Sequence, residues 1–301
     1  MASIKNVVIA GASGNVGPAI LKVLLDSGKF KITIFTRESS VATFPSAAKV
    51  VKVDYKSLES LTSALQGQDA VVSTLSASAL SDQTLLIDAA IASGVQRFLP
   101  SEFGSDLENP KARALPVYAG KVAVQNYLVG KAKSNPEFSY TIIRNGFLLD
   151  WGIQVGFIIN TKGFKPAIYG SGDQEFSATS LAAVGQAVVG VLDHPVETNN
   201  RVTYVEEIAL SQNRLLALAK KLTPNRSWEP IHVDLDAMKA TSDARLEQGL
   251  FDDETFFPYI YMAGFGEGYG AKLEKVDNEL LGVKRITEAD VETIMKPVVQ
   301  A

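Results

Sequence analysis

The chain has 301 residues, 46% of them hydrophobic and 21% charged, a composition typical of a globular protein with a large core. Its formal net charge of −4 is spread along the chain without a basic run, so nucleic acid and anionic membrane surfaces are not expected as partners. The absence of cysteine excludes disulfides, a thiolate nucleophile and cysteine-ligated zinc, and no metal site is predicted.

The chain opens with an apolar run at residues 4–10, which leads into three glycines at spacing G-x-x-G-x-x-G and then into a helical pattern at residues 20–25. This order predicts a strand, a tight turn and a helix. A helix start offers unpaired N–H groups and a positive dipole end, and glycines let phosphates approach the backbone. The turn is therefore predicted to bind a dinucleotide through these residues: Gly11, Ser13, Gly14, Asn15, Val16 and Gly17.

The first half of the chain continues with short apolar runs that alternate with helical patterns. Further strands are predicted at residues 32–36, 50–53, 70–74, 97–99 and 140–143. Helices are predicted near residues 57–66, 82–93 and 116–133. Such alternation indicates a parallel sheet covered on both faces. We therefore predict an α/β fold in which residues 1–150 form a doubly wound Rossmann domain of the NAD(P)-binding type, with ligands at the carboxyl ends of the strands.

After residue 150 the regular alternation stops. A helix over residues 180–189 and a strand at 202–205 are predicted to return to the sheet, so that the region near 180–206 rejoins the first domain. Further helices are predicted near residues 212–221, 234–248 and 252–264. Residues 151–179 and 207–301 are accordingly assigned to a smaller, mostly helical lobe that binds the substrate.

The end of the second strand distinguishes the two nicotinamide dinucleotides. An acidic residue there suits the free ribose hydroxyls of NAD, whereas an arginine suits the 2′-phosphate of NADP. Arg37 ends this strand, and Ser39 and Ser40 add hydroxyl donors, so NADP(H) is predicted although Glu38 places a carboxylate nearby. Residues that follow the third and fourth strands are also expected to contact the cofactor: Asp54, Thr74 and Ser76.

The segment Pro100-Ser101-Glu102-Phe103-Gly104, with Lys121 placed 17 positions after its glycine, makes the pattern more specific. Together with the glycine turn and Arg37, it resembles the isoflavone reductase-like group of atypical short-chain dehydrogenase/reductases, within the wider NmrA-like family, and most of all the fungal isoflavone reductase-like proteins. The resemblance covers residues 1–150 well and the remainder only in general layout. It implies an NADPH-dependent oxidoreductase.

The same resemblance implies that Lys121 is the catalytic lysine, which hydrogen-bonds the nicotinamide ribose and donates or organises a proton. Tyr118 lies three positions earlier on the same helix face, so it is a second candidate donor, the alternative being a tyrosine that only packs at a helix start. Phe103, Asn145 and Phe147 follow the fifth and sixth strands and are expected to line the substrate pocket.

Two functions from different classes fit these residues. The first is an NADPH-dependent reductase that transfers hydride to a small aromatic, enone or quinone-like substrate. The alternative is an NmrA-like regulatory protein that senses NADP(H) without turnover, and the presence of Lys121 and Tyr118 favours the enzyme. An epimerase or dehydratase is disfavoured because the YxxxK signature is missing.

The expected setting follows from the apolar runs of the chain. None of them approaches the roughly 20 residues that cross a bilayer. A cytoplasmic protein that binds a small molecule, makes no membrane contact and acts as a monomer or homodimer is therefore predicted.

Overall fold

In the computed structural model, which describes residues 3–300, the chain forms a seven-stranded sheet and two small accessory sheets. The strands are β1 (Asn6–Ala10), β2 (Lys31–Arg37), β3 (Lys49–Val53), β4 (Ala70–Ser73), β5 (Arg97–Leu99), β6 (Ser139–Arg144), β7 (Phe147–Leu148), β8 (Ala167–Tyr169), β9 (Phe176–Thr179), β10 (Arg201–Tyr204), β11 (Ile208–Leu210) and β12 (Ile231–Val233). The α-helices are α1 (Gly17–Ser27), α2 (Leu58–Ala64), α3 (Asp82–Ala92), α4 (Pro110–Arg113), α5 (Ala119–Ser134), α6 (Leu149–Gln154), α7 (Leu181–Asp193), α8 (Gln212–Leu222), α9 (Leu235–Glu247), α10 (Asp253–Phe265), α11 (Asn278–Leu281) and α12 (Glu288–Val299).

The large sheet has the strand order β10-β6-β5-β4-β1-β2-β3, and every neighbouring pair is parallel. The order reverses at β1, which pairs with β2 on one side and with β4 on the other. The doubly wound α/β fold is confirmed, and this reversal is the place where such sheets bind their ligands.

Helices cover both faces of the sheet. Successive residues of a strand point to opposite faces, and here successive residues are apolar, so each face needs a covering layer. Val7 and Ile9 pack in the core under α1 and α7, whereas Val8 packs in the core under α2, α3 and α5. Helix α7 lies so close to α1 that a Cβ at Gly185 would come within 2.8 Å of Val23 Cγ2. The predicted helix at 180–189 therefore packs on the first domain, and β10 extends its sheet beside β6.

The remainder forms a lobe with a separate apolar core. Helices α8, α9, α10 and α12 supply half of the buried residues of this core. The lobe also contains two small sheets, one ordered β11-β9-β7 and one pairing β12 with β8. The sequence did not predict these strands, because each has only two to four residues and the regular alternation of strands and helices stops before them. Leu107, Leu115 and Tyr118 also pack in this core, so a segment that precedes residue 150 contributes to the lobe.

Residues 3–300 contain neither a membrane-spanning helix nor a cluster of potential metal ligands. No helix there is both long and apolar enough to cross a membrane. No group of three or more histidine, aspartate or glutamate side chains there is arranged to hold a metal ion.

Candidate active site

The glycine turn lies where the sheet order reverses, and its three glycines have different surroundings. Gly11 adopts φ +90°, and a Cβ there would lie 2.6 Å from the carbonyl oxygen of Thr74. A Cβ at Gly17 would lie 2.5 Å from the carbonyl oxygen of Gly11. At Gly14 the nearest atom would be 3.5 Å away. Gly11 and Gly17 are thus required for the turn to pack. Gly14 has room for a Cβ, so its lack of a side chain instead leaves space for a ligand to approach the backbone.

Helix α1 begins directly after this turn and presents its N-terminus to it. Val16 occupies the N-cap position, and no side chain of the described residues caps the helix. Pro18 lies in the first turn, which contains no acidic residue. The first N–H groups of α1 are therefore available to an anion, and the helix dipole favours negative charge there.

A cavity of about 460 Å³ opens beside the turn. Seven of the predicted cofactor residues line it, namely Gly11, Ser13, Gly14, Arg37, Ser40, Thr74 and Ser76. Of the residues that the sequence did not single out, several with polar or aromatic side chains also line it, including Phe44, Tyr55, Lys56, Ser78 and Asp82. The cavity therefore brings together the ends of β1, β2 and β4, as the sheet reversal requires.

Arg37 is the cation at one end of this cavity. It is exposed at the end of β2, and no residue from 3 to 300 forms a hydrogen bond or ion pair with its guanidinium. Lys56, the other cation of the lining, is instead paired with Asp82. Arg37 is thus the side chain that is free to form a bidentate pair with a phosphate.

Several predicted cofactor residues lie outside the lining of this cavity. Asn15, Val16 and Gly17 form the turn itself and the start of α1, and Ser39 follows β2. Asp54 has a structural contact, because its carboxylate accepts a hydrogen bond of 2.8 Å from the backbone N–H of Lys56. Local hydrogen bonding of this kind is a common use of aspartate in turns.

Lys121 lies in the first turn of α5, away from the glycine turn. Its Nζ donates a hydrogen bond to the backbone carbonyl of Glu102, in the loop that follows β5. Burial lowers the pKa of Lys121, the Glu102 carboxylate raises it, and the Arg144 guanidinium lowers it further. The net direction is downward, which brings this amine closer to the neutral range in which proton transfer is efficient.

The loop after β5 is held at both ends. The hydroxyl of Ser101 donates a hydrogen bond of 2.7 Å to the carbonyl of Leu75, after β4. The carbonyl of Gly104 accepts hydrogen bonds from the backbone N–H groups of Asn145 (3.3 Å) and Gly146 (3.2 Å), after β6. The carbonyl of Glu102, which lies between these anchors, is therefore a fixed acceptor for Lys121.

Tyr118 is buried, with 6% of its surface exposed, and its ring packs in the core of the lobe. Its hydroxyl lies 2.7 Å from Ser105 Oγ. Burial raises the pKa of Tyr118 to about 12, although the hydrogen bond from Ser105 acts in the opposite direction. The phenol is thus protonated at neutral pH. The packing is established, and a catalytic role for Tyr118 stays a prediction.

The three predicted substrate residues do not share one environment. Phe103 packs against the core under α1 and α7. Phe147 packs against Phe176 and Phe265 in the lobe, with ring centroids 5.1 and 5.2 Å away. Asn145 is fully buried, and its Oδ1 accepts no hydrogen bond within the described residues. Their contact with a substrate stays a prediction.

Comparison with known proteins decides the family. The sequence model described as the NmrA-like family matches residues 3–247. The chain belongs to the NmrA-like family.

This NmrA-like protein is similar to named fungal proteins over most of its length. It is 35% identical to the oxidoreductase poxI of Penicillium oxalicum over 293 residues, which cover 94% of this chain and 91% of that protein. It is 36% identical to the oxidoreductase aprR of Aspergillus flavus over 283 residues, which cover 92% and 94%. The leucoanthocyanidin reductase–NADPH complex from Vitis vinifera has the same fold, with a TM-score of 0.74 at 20% identity and coverage of 98% and 100%.

Sequence reasoning missed part of the site of this NmrA-like protein. Glu102 forms a fully buried ion pair with Arg144, a residue 42 positions later in the chain. Lys56 and Asp82, which close one side of the cavity, come from the turn after β3 and the start of α3. A charged residue at the end of the sixth strand was the one available signal for Arg144, because charged side chains are rarely buried without a partner.

Proposed function

We propose that this protein is an NADPH-dependent oxidoreductase that reduces a small aromatic, enone or quinone-like molecule, with Lys121 donating or organising the proton. The oxidoreductase names of poxI and aprR support the reaction class, because both proteins are at least 35% identical to this chain over nearly its whole length. The observation that carries the proposal is the combination of the phosphate-compatible cavity with Lys121, a partly buried lysine of lowered pKa at the start of α5.

The residues at the cavity fit NADP(H) without conflict. The open surface of Gly14 and the uncapped N-terminus of α1 would hold the pyrophosphate, and the unpaired Arg37 would hold the 2′-phosphate. The reductase from Vitis vinifera, which shares this fold, was solved with NADPH. Thr74 and Ser76, after β4, would contact the ribose that follows the pyrophosphate.

Reduction of a polarised double bond needs a hydride and a proton. The bound nicotinamide supplies the hydride. The ammonium of Lys121 supplies the proton to the substrate atom that gains negative charge, and the carbonyl of Glu102 orients Nζ for this transfer. The lowered pKa favours release of the proton, and the amine regains it from solvent after each turnover. Tyr118, held by Ser105, is the second candidate donor.

We assign substrate recognition to the lobe, residues 151–179 and 207–301. A cavity of about 780 Å³ in the lobe is bordered by aromatic, apolar and charged side chains, among them Lys111, Met262, Phe265 and Tyr269. Such mixed concave surfaces are typical of small-molecule sites. Phe103, Asn145 and Phe147, none of which lines this cavity, remain the proposed substrate contacts. A cytoplasmic location and a monomeric or homodimeric state also remain predictions.

The proposal is tested by NADPH oxidation against a panel of aromatic enones and quinones, with Lys121→Ala as the paired variant and NADPH fluorescence titration on both proteins. We expect turnover by the native protein and a loss of about 100-fold or more in kcat for the variant. NADPH binding should weaken by no more than about 10-fold, the loss of the one hydrogen bond that Lys121 would donate to the nicotinamide ribose. Undiminished turnover by the variant would refute the role of Lys121. Tight NADPH binding with no turnover on any compound would favour the regulatory alternative.

A further inference from the structure

The ion pair between Glu102 and Arg144 is the most deeply buried charged feature beside Lys121. The two side chains are 1% and 0% exposed. Nε and Nη2 of Arg144 have no hydrogen-bond partner in any residue that the structure describes. A buried ion pair loses the hydration of both ions, and unpaired N–H groups add to this cost. Stability by itself therefore does not account for a charged pair at this position.

The pair is attached to the same loop that orients Lys121. The carbonyl of Glu102 accepts the hydrogen bond from Lys121 Nζ, and the carboxylate of the same residue binds Arg144. Gly104 forms a parallel bridge with Arg144 through the backbone. The position of the acceptor carbonyl thus depends on Arg144 through a side-chain contact and a main-chain contact.

The two members of the pair act on the charge of Lys121 in opposite directions. Glu102, after β5, raises the pKa of Lys121, whereas Arg144, at the end of β6, lowers it. The same two charges also act on the hydroxyl of Tyr118, at the start of α5. Its pKa is about 12, so this hydroxyl is neutral at physiological pH. Without Arg144, the buried carboxylate would favour the ammonium form of the lysine.

We infer that Glu102 and Arg144 form a positioning pair for Lys121, a role that rests on the proposed proton transfer. Their contact holds the Glu102 carbonyl against the amine. Arg144 also offsets the negative charge that would otherwise keep the lysine protonated. The pair thereby keeps Lys121 able both to give up its proton and to regain it.

The first test measures the charge of Lys121 without any substrate. Acetylation by a trace of acetic anhydride proceeds only on the free amine, so its rate against pH, followed by mass spectrometry of the Lys121 peptide, gives the pKa. We expect Glu102→Gln to lower this pKa by about one unit and Arg144→Gln to raise it by about one unit, because each variant leaves the other charge uncompensated. Arg144→Lys keeps the cation and should restore a pKa near the native value.

The second test follows activity, with 9,10-phenanthrenequinone as the probe oxidant. A proton donor works as the ammonium, so kcat falls as the pH rises through its pKa. The alkaline limb of kcat is expected to move to lower pH in Glu102→Gln and to higher pH in Arg144→Gln, while the affinity for NADPH stays constant. A purely structural role would lower kcat at every pH and leave the limb in place.

Glu206→Gln is the matched control. Glu206 is also a buried carboxylate paired with an arginine, Arg285, but it follows β10 and is not among the charges that shift the pKa of Lys121. The control should lose stability without moving the pKa of Lys121.

If both single variants fail to fold, Glu102→Gln/Arg144→Met replaces the pair by uncharged side chains of similar shape. Its freed amine should then acetylate faster at high pH than the native one, and an unchanged rate would overturn the positioning role.

The outcomes separate this inference from the proposed function. Opposite shifts of the pKa support the pair. Equal pKa values in Glu102→Gln, Arg144→Gln and the native protein overturn it, even where Lys121→Ala abolishes turnover. Conversely, full turnover by Lys121→Ala refutes the proposed function, and the acetylation data still report whether the pair controls the charge of the lysine.

Discussion

The sheet region and the lobe differ in how far apart their contacting segments lie in the chain. In the sheet, β1 pairs with β2 and β2 pairs with β3, its neighbours in sequence, and these pairs are joined by α1 and by a loop. In the lobe, β8 pairs with β12, and β9 pairs with β7 and β11. The short strands of the lobe are held by aromatic packing between distant residues, such as Phe147 with Phe265. The glycine turn thus depends on local sequence, whereas the surface offered to a substrate depends on long-range packing.

The largest expected effect tests whether the lobe can be weakened separately. Phe176 is fully buried in the aromatic core of the lobe, beside Phe147 and Phe265. Phe176→Ala should lower the free energy of unfolding by about 3–5 kcal/mol, because it leaves a cavity in a packed core. NADPH affinity of the folded protein should be unchanged. Chemical denaturation and NADPH titration check this, and a joint loss of both would contradict the separation of the two regions.

The next effect compares two glycines of the same turn. Gly11→Ala should lower the free energy of unfolding by about 2–3 kcal/mol, because Gly11 has φ +90° and a Cβ would meet the backbone of Thr74. Gly14→Ala should change stability by less than about 0.5 kcal/mol, since it has room for a Cβ, but should weaken NADPH binding. Thermal unfolding and NADPH titration distinguish the two. Equal destabilisation would show that Gly14 also serves the packing of the turn.

A smaller effect is expected at the end of β2. Arg37→Ala should weaken NADPH binding about 10- to 100-fold, because a charge-assisted hydrogen bond contributes roughly 1.5–3 kcal/mol. NADH, which lacks the 2′-phosphate, should bind as before. Fluorescence titration with both nucleotides measures the ratio, and Lys52→Ala is a matched cationic control, because Lys52 is engaged with the carbonyl of Glu38. An equal loss of affinity for NADPH and NADH would show that Arg37 does not bind the 2′-phosphate.

The smallest effect concerns the boundary between the two regions. Tyr118→Phe removes the hydroxyl bonded to Ser105 and should cost about 1 kcal/mol at neutral pH. The pKa of Tyr118 is raised to about 12 in the folded protein, so its contribution to stability is complete below pH 10 and is lost as the pH rises toward 12. The variant should therefore lose less stability than the native protein between pH 10 and 12. An equal loss of stability in both proteins between pH 10 and 12 would contradict a raised pKa of the Tyr118 hydroxyl.

The apolar runs of the first half were sufficient to predict the doubly wound sheet. The fifth strand was predicted at residues 97–99 and is observed there, because continuous apolar runs between turn signals have few alternative structures. The glycine turn could also be predicted, since the spacing of its glycines reflects the local backbone geometry of such turns. The short strands of the lobe were not predicted, because they lie among loop signals, without the regular alternation of strands and helices that marks the first half.

The sequence by itself determined the elements, the glycine turn and the candidate lysine, because each depends on residues close together in the chain. Only the tertiary structure showed that Glu102 and Arg144 meet beside Lys121, that Asp54 caps a turn, and that Phe147 belongs to an aromatic core. These contacts join residues whose side chains face one another only after the sheet and the lobe have packed. Their chemistry is therefore a property of the folded chain and not of any segment of it.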